Sequence, residues 1–198
     1  MLGGLEIRKL VYERKVFIEP FNDSQLNPNS YNCKLSPNLK IYKLDDLEYI
    51  DPFTGQSSIV KGLDLKQKPR TKSLVIPASG MTLIPGILYL GCTQERFNTG
   101  GYHADIIWMP QYAPHMETRS GIARAGISSH LSAGWGDVGF SGCFTLEITV
   151  VHPVRIYPGI EICQVAFVEP QGHYLPYKGK YRDSCEPTET MVWKEFQK

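Results

Sequence analysis

Along most of this chain apolar residues recur with a period of two, in short runs broken by Gly, Pro, Asn and Asp. The clearest run is "CFTLEITVV", where Phe144, Leu146, Ile148 and Val150 alternate with Cys143, Thr145, Glu147 and Thr149. That spacing predicts a strand with one face on a core. "VFIEPF" reads as a short strand ended by Pro20, and "NDSQLNPNSY" as a turn-rich link. Strands are expected in "YNCKLSPNLKIYKL", "HADIIWMPQYAPHMETRS", "VRIYPG" and "EICQVAFVEP". "SLVIPASGMTLIPGILYLGCTQERF" predicts two or three short strands separated by Gly and Pro. Only two places read as helix: the N-terminal "LEIRKLVYERK", with Leu5, Arg8, Lys9 and Tyr12 at helical spacing, and a short turn of helix from about Ser120 to Ala125. Residues 45–73 are polar, carry Asp-Pro and Thr-Gly punctuation, and predict a long hairpin or excursion. Residues 179–198 are polar and weakly periodic. The fold class expected is mostly β with a few short helices, a sandwich, jelly roll or distorted barrel rather than βαβ units. Nothing repeats internally, and a single domain over 1–198 is expected.

Composition narrows the function without naming it. With 21 Lys and Arg against 20 Asp and Glu, the net charge of +1 argues against a nucleic-acid footprint, though a local basic pocket for a small anion is compatible with it. No apolar run has membrane-spanning length, and the N-terminus lacks the apolar core of a signal peptide. Five cysteines (33, 92, 143, 163 and 185) are scattered, with no C-x-x-C and no zinc-finger spacing. They are read as buried small hydrophobes or surface bystanders, in a reducing, cytoplasmic setting with no structural disulfide. The five histidines show no metal spacing.

Two stretches carry candidate chemistry. "TRSGIARAG" places Arg119, Ser120, Gly121 and Arg124 at a helix start, where guanidiniums, a hydroxyl and backbone N–H groups can hold a phosphate chain. A solvated turn whose arginines meet nearby carboxylates is the alternative. In the strand that follows, Glu147 lies on the threonine face. The pattern alone favours an exposed strand glutamate, and the functional alternative is a pocket carboxylate fit to shuttle protons. Asp137 in "GWGDVGF" is either a turn residue or an acceptor for a sugar hydroxyl, and Lys180 and Tyr181 in "GKYRDS" are equally open.

Taken together these residues resemble the dCTP deaminase family of the dUTPase-like superfamily. The resemblance rests on "FIEPFNDSQLNPNSYNCKL", "TRSGIARAGISSHLSAGWGDVGFSGCFTLEITV", "PVRIYPGIEICQVAF" and "GKYRDSCEPT". It is strong from Pro85 to Thr188 and weak across 45–73. It implies a dUTPase-like distorted jelly roll or β-barrel, assembled as a homotrimer with sites at subunit interfaces. It implies hydrolysis of the 4-amino group of dCTP to give dUTP and ammonia. Glu147 matches the catalytic glutamate. Arg119, Ser120 and Arg124 match phosphate-side or neighbouring-subunit residues, and Gly121, Ser132 and Tyr181 fall within the matched substrate-binding segments. Ala133 matches a residue whose backbone contacts the base and the attacking water, Asp137 the residue that reads the deoxyribose, and Lys180 a lysine reaching the triphosphate. Magnesium would arrive on the nucleotide, dTTP is a possible inhibitor, and neither nucleic acid nor membrane is expected as a partner. Zinc deaminases announce themselves by H-x-E and P-C-x-x-C, and neither pattern is present, so a glutamate and fixed backbone dipoles are expected to manage the protons.

The chain departs from the family pattern at three positions. Gly121 replaces the second serine of Arg-Ser-Ser, Ser184 stands where a nucleotide-contacting Gln is usual, and Thr118 replaces a common glycine. Arg-Ser-Gly is the dUTPase form of the motif, yet the glycine-rich C-terminal motif of dUTPases is missing. Two further readings therefore stand beside the deaminase: a bifunctional enzyme carrying dCTP to dUMP and pyrophosphate, and a non-catalytic nucleotide-binding homologue.

Overall fold

Why the period-two segments become strands, and how far each runs, is seen in a computed structural model that describes residues 1–99 and 112–197. The part of the expected strand before Tyr112, with His103, lies outside the described residues. Helix α1 (Gly4–Tyr12) turns Ile7 and Leu10 inward and leaves Leu5 and Tyr12 exposed. The strands before the central region are β1 (Phe17–Glu19), β2 (Tyr31–Lys34), β3 (Asn38–Lys43), β4 (Asp45–Ile50), β5 (Ser57–Gly62), β6 (Arg70–Val75), β7 (Met81–Leu83) and β8 (Tyr89–Asn98). After it come β9 (Ala113–Thr118), helix α2 (Ser120–Arg124), β10 (Ile127–Ser128), β11 (Ser141–Val150), β12 (Val154–Ile156) and β13 (Glu161–Val168).

One sheet runs β10-β11-β8-β3-β6 with β1 also on β8; a second runs β2-β13-β9. All pairings within them are antiparallel. A single apolar cluster joins the two sheets, with Phe97 of β8 facing Phe167 of β13 at 6.4 Å and Phe144 of β11 at 5.0 Å. Burial of each such side chain is worth roughly 1.5–3 kcal/mol.

The expectation of short strands fails at β8, which is ten residues long, while β11 keeps the predicted "CFTLEITVV" run as far as Val150 and begins two residues before it. Gly91, which reads as a break, lies inside β8, where a Cβ would crowd Ile148, Leu35 and Leu39 at 3.0–3.2 Å. It is a packing space for those side chains, and the ladder continues through it. Residues 45–73 divide: β4 and β5 form the expected hairpin, whereas β6 pairs with β3 as an edge of the main sheet. The hairpin is also less polar than its punctuation suggests, since Tyr49, Ile50, Phe53 and Ile59 are exposed on it.

The register of β11 shifts between Cys143 and Thr145. At this bulge the Phe144 amide donates to Thr93 Oγ1 at 3.0 Å. Beyond it the predicted alternation holds, with Leu146, Ile148 and Val150 buried and Thr145, Glu147 and Thr149 half-buried.

After β13 the polar C-terminal segment turns back over the main sheet as a strap. The Tyr177 amide donates to Val138 O (2.7 Å), Asp183 to Ser141 O (2.6 Å), and Cys143 to Ser184 O (2.8 Å). Further along, the Thr188 amide donates to Thr145 Oγ1 and the Thr190 amide to Tyr42 Oη (2.9 Å), while Lys40 pairs with Glu189 at 2.9 Å. The approach is close enough to need glycine at 142: φ there is 138°, and a Cβ would lie 2.8 Å from Ser184 O. The expectation of no structural disulfide is overturned here, because Cys143 and Cys185 are bonded, with Cα atoms 4.6 Å apart. The strap brings together two cysteines separated by 42 positions, which spacing rules could not pair.

Candidate active site

Glu147 stands on β11 opposite Leu90 of β8, on the face away from the apolar core. Its backbone amide donates to Ser129 O (3.0 Å), and its Oε2 accepts from the Leu131 amide (3.1 Å). The loop 129–131 is thus tied to the strand at both ends of one residue. Ser129 is held in turn by Thr118, whose Oγ1 accepts from the Ser129 amide at 2.8 Å.

Around Glu147 lies a cavity of about 440 Å³. β3 supplies Tyr42, β8 Leu90, β11 Thr145, the loop Ala133, and the strap Tyr181 and Thr188–Thr190. A second cavity of about 710 Å³ adjoins it, lined by Trp135, Asp137, Tyr177 and Lys180. Phe140, Phe144 and Tyr181 line both, so the two cavities meet along an aromatic wall and are together called the trough. Glu147 lines the first cavity and Asp137 the second. Phe140 stacks on Phe144 at 4.9 Å, which stiffens the shared wall.

The charges around the trough are set by neighbours. Burial pushes the Tyr42 phenol up; the Thr190 amide opposes this, and the carboxylates of Glu189 and Glu147 add to the rise. At Glu189 burial raises the carboxyl, but hydrogen bonding and charge from Lys40 outweigh it and leave the group below the usual carboxylate range. Lys180 is hydrogen-bonded and ion-paired to Glu195, which raises its ammonium, and it lies over the Tyr181 ring at 5.8 Å.

The structure gathers Glu147, Ala133, Asp137, Lys180 and Tyr181 around the trough. It does not bring Arg119, Ser120, Gly121 or Arg124 to either cavity; α2 sits elsewhere on the surface. Arg119 instead donates to Glu161 O and pairs with Glu161 Oε2, both at 3.1 Å. Glu161 is steadied by Asn32 Nδ2 at 2.9 Å. Around Gly121 a Cβ would meet nothing within 4 Å, so no close approach among the described residues demands glycine there. Ser132 is exposed and lines neither cavity. Ser184 lines neither; its hydroxyl lies 2.9 Å from that of Thr188 and donates to Glu186 O.

Sequence reasoning missed Tyr42, Thr188, Glu189 and Thr190, whose neighbourhood is made only by the strap crossing β3. It also missed a row on β9, where Glu117 bridges His115 (3.4 Å) and His130 (3.2 Å), with Trp135 stacked on His115 at 4.3 Å. Thr145 was legible, since it shares Glu147's face. Among the described residues no group of three or more His, Cys, Asp or Glu is placed to hold a metal ion, and no helix is long and apolar enough to cross a membrane.

The profile of the family described as dCTP deaminase-like matches residues 1–169. The chain belongs to the dCTP deaminase-like family. Relatives named "dCTP deaminase, dUMP-forming" run the full length of this dCTP deaminase-like chain. The one from Hathewaya histolytica is 38% identical over 198 residues, covering 100% of this chain and 99% of its own. The one from Cytophaga hutchinsonii is 40% identical over 200 residues, with the same two coverages. That from Clostridium acetobutylicum is 40% identical over 197 residues, covering 99% and 98%. A solved 2'-deoxycytidine 5'-triphosphate deaminase from Agrobacterium tumefaciens superposes with a TM-score of 0.56 at 16% identity. That likeness concerns the fold alone; it covers 84% of this chain, which spans 47% of the solved one. The mostly β architecture with few short helices agrees with it.

Proposed function

We propose that this protein hydrolyses dCTP in two steps, releasing ammonia from C4 of the base and then diphosphate, and ends at dUMP. The observation that carries the reading is the placement of Glu147: a half-buried carboxylate on a cavity wall, its Oε2 occupied by the Leu131 amide. Full-length relatives named for dUMP formation shift the expected end product from dUTP to dUMP.

In the first step a water held near Oε1 of Glu147 gives up a proton as it attacks C4. The same carboxylate passes protons to the ring and to the departing amine, so dCTP and water become dUTP and ammonia. Backbone dipoles at Ala133 orient the water, and desolvation by Leu90, Phe144 and Tyr42 strengthens each contact. The sugar hydroxyl is read by Asp137, and Lys180, released from Glu195, meets the phosphates. In the second step Asp137 helps a second water attack the α-phosphorus, giving dUMP and diphosphate. Magnesium enters on the triphosphate as part of the substrate.

The remaining phosphate contacts come from a second copy. Because Arg119, Ser120, Gly121 and Arg124 lie away from the chain's own trough, we assign them to a neighbour's site in a trimer of jelly-roll subunits, each subunit one domain over 1–198. The reading keeps a cytoplasmic setting, leaves dTTP as a candidate inhibitor of the same trough, and gives Ser132 and Ser184 supporting contacts at most. The test is to incubate purified protein with dCTP and identify the products. Ammonia with dUMP supports the proposal; dUTP as the end product makes it a plain deaminase. Binding without ammonia release overturns the catalytic reading in favour of a nucleotide-binding homologue.

A further inference from the structure

The geometry points to a reversible thiol–disulfide site, Cys143–Cys185, that latches the strap down as one wall of the trough and, on reduction, lets it lift. The inference deepens the proposed function and rests on it for the identity of the nucleotide.

Four observations meet at this bond. First, Cys143 lines the cavity of Glu147 and sits at the bulge of the same strand. Second, Cys185 lies between Asp183 and Ser184, which dock on the start of β11, and Thr188–Thr190, which line the cavity. Third, the other attachments of the strap are non-covalent: hydrogen bonds such as those at Thr188 and Thr190, the partly buried Lys40–Glu189 pair and the half-exposed Arg96–Asp183 pair. Contacts of that kind open and close readily, so the covalent bond decides whether the wall is permanent. Fourth, the two sulfurs differ in access: Cys143 is buried and Cys185 belongs to an exposed residue. Cys185 is therefore the side from which a small thiolate can approach the bond. The other thiols, Cys33, Cys92 and Cys163, are buried, and burial raises the Cys92 thiol beside the strap, so none competes as an attacking thiolate.

The exchange balances with a small dithiol such as dithiothreitol, or with glutathione, as reductant. Its thiolate bonds to Cys185 Sγ, the Cys143–Cys185 bond breaks, and Cys143 leaves as a thiolate that takes a proton. A second thiolate then displaces the mixed disulfide, freeing Cys185 and leaving the reductant oxidised by two electrons. A small disulfide drives the reverse. In a reducing setting such bonds are characteristically transient or redox-sensing.

The experiment uses the full-length wild type and Cys185→Ser, each treated with oxidised glutathione or with dithiothreitol. Intact-mass alkylation counts free thiols, and hydrogen exchange follows the amides of 181–190. The expected result is two fewer free thiols in oxidised wild type than in reduced. Exchange at 183–190 and at the Cys143 amide, which donates to Ser184 O, should be at least tenfold faster after reduction, with β8 and residues 144–150 of β11 unchanged and Cys185→Ser fast in both states. dCTP should also dissociate several-fold faster from the reduced protein. Equal exchange of the strap in the two wild-type states, or an unchanged thiol count, overturns the latch. A strap that responds in a protein that never releases ammonia from dCTP upholds the latch and overturns the deaminase reading instead.

Discussion

The carboxylate of Glu147 accepts a hydrogen bond from the amide of Leu131 at 3.1 Å, while the amide of Glu147 donates to Ser129. One strand residue thereby orients the loop that carries Ala133, and the loop orients the carboxylate. Glu147→Gln keeps the shape and an oxygen for Leu131 but cannot take a proton. Ammonia release from dCTP should fall by at least about 10²–10⁴-fold in kcat, with dCTP binding within a few-fold of wild type by calorimetry. Turnover at the wild-type rate would remove Glu147 from the chemistry.

Asp137 lines the cavity adjoining that of Glu147. If it serves the phosphate step, Asp137→Asn should uncouple the two reactions. Chromatography of products from dCTP should then show dUTP accumulating where the wild type gives dUMP, with ammonia release less affected than diphosphate release.

Gly121 faces open space and has no positive φ. Gly121→Ser should therefore fold normally, with a stability change within about 0.5 kcal/mol of zero or slightly favourable from helix propensity. The added hydroxyl can meet a phosphate oxygen, a contact of about 1.5–3 kcal/mol to a charged acceptor at best. KM for dCTP should drop several-fold with Tm unchanged. An unchanged KM would place α2 away from any copy's triphosphate.

Glu95 is buried in β8, accepting from Gln25 Nε2 (2.7 Å) and the Lys34 amide (2.9 Å). Burial pushes its carboxyl up, more than these two hydrogen bonds pull it down. The folded state therefore holds this proton more tightly than the unfolded chain, and stability falls as pH rises from the ordinary carboxylate value through the raised one. Glu95→Gln should remove that downward slope from denaturant-melt stability measured across pH 4 to 7. It should also cost stability at acid pH, because an amide offers one acceptor where the carboxyl group has two oxygens engaged.

How much of this was legible in the chain differs from residue to residue. The side of β11 on which Glu147 sits follows from alternation with Leu146 and Ile148, and the short helix at Ser120 from the composition of its run. The length of β8 did not, because Gly91 reads locally as a break and only the side chains of Ile148, Leu35 and Leu39 explain it. Nor did the disulfide, whose partners meet because the strap folds back.

By itself the sequence determined the β class, the two short helices, the face of Glu147 and the family resemblance, all of which depend on residues near one another in the chain. The tertiary structure decided the rest: that the cavities of Glu147 and Asp137 share an aromatic wall, that Tyr42 and Thr188–Thr190 line the first of them, that Arg119 is held by Glu161 away from both, and that Cys143 meets Cys185. Each of these depends on the pairing and packing of distant segments, which a local pattern of polar and apolar positions does not encode.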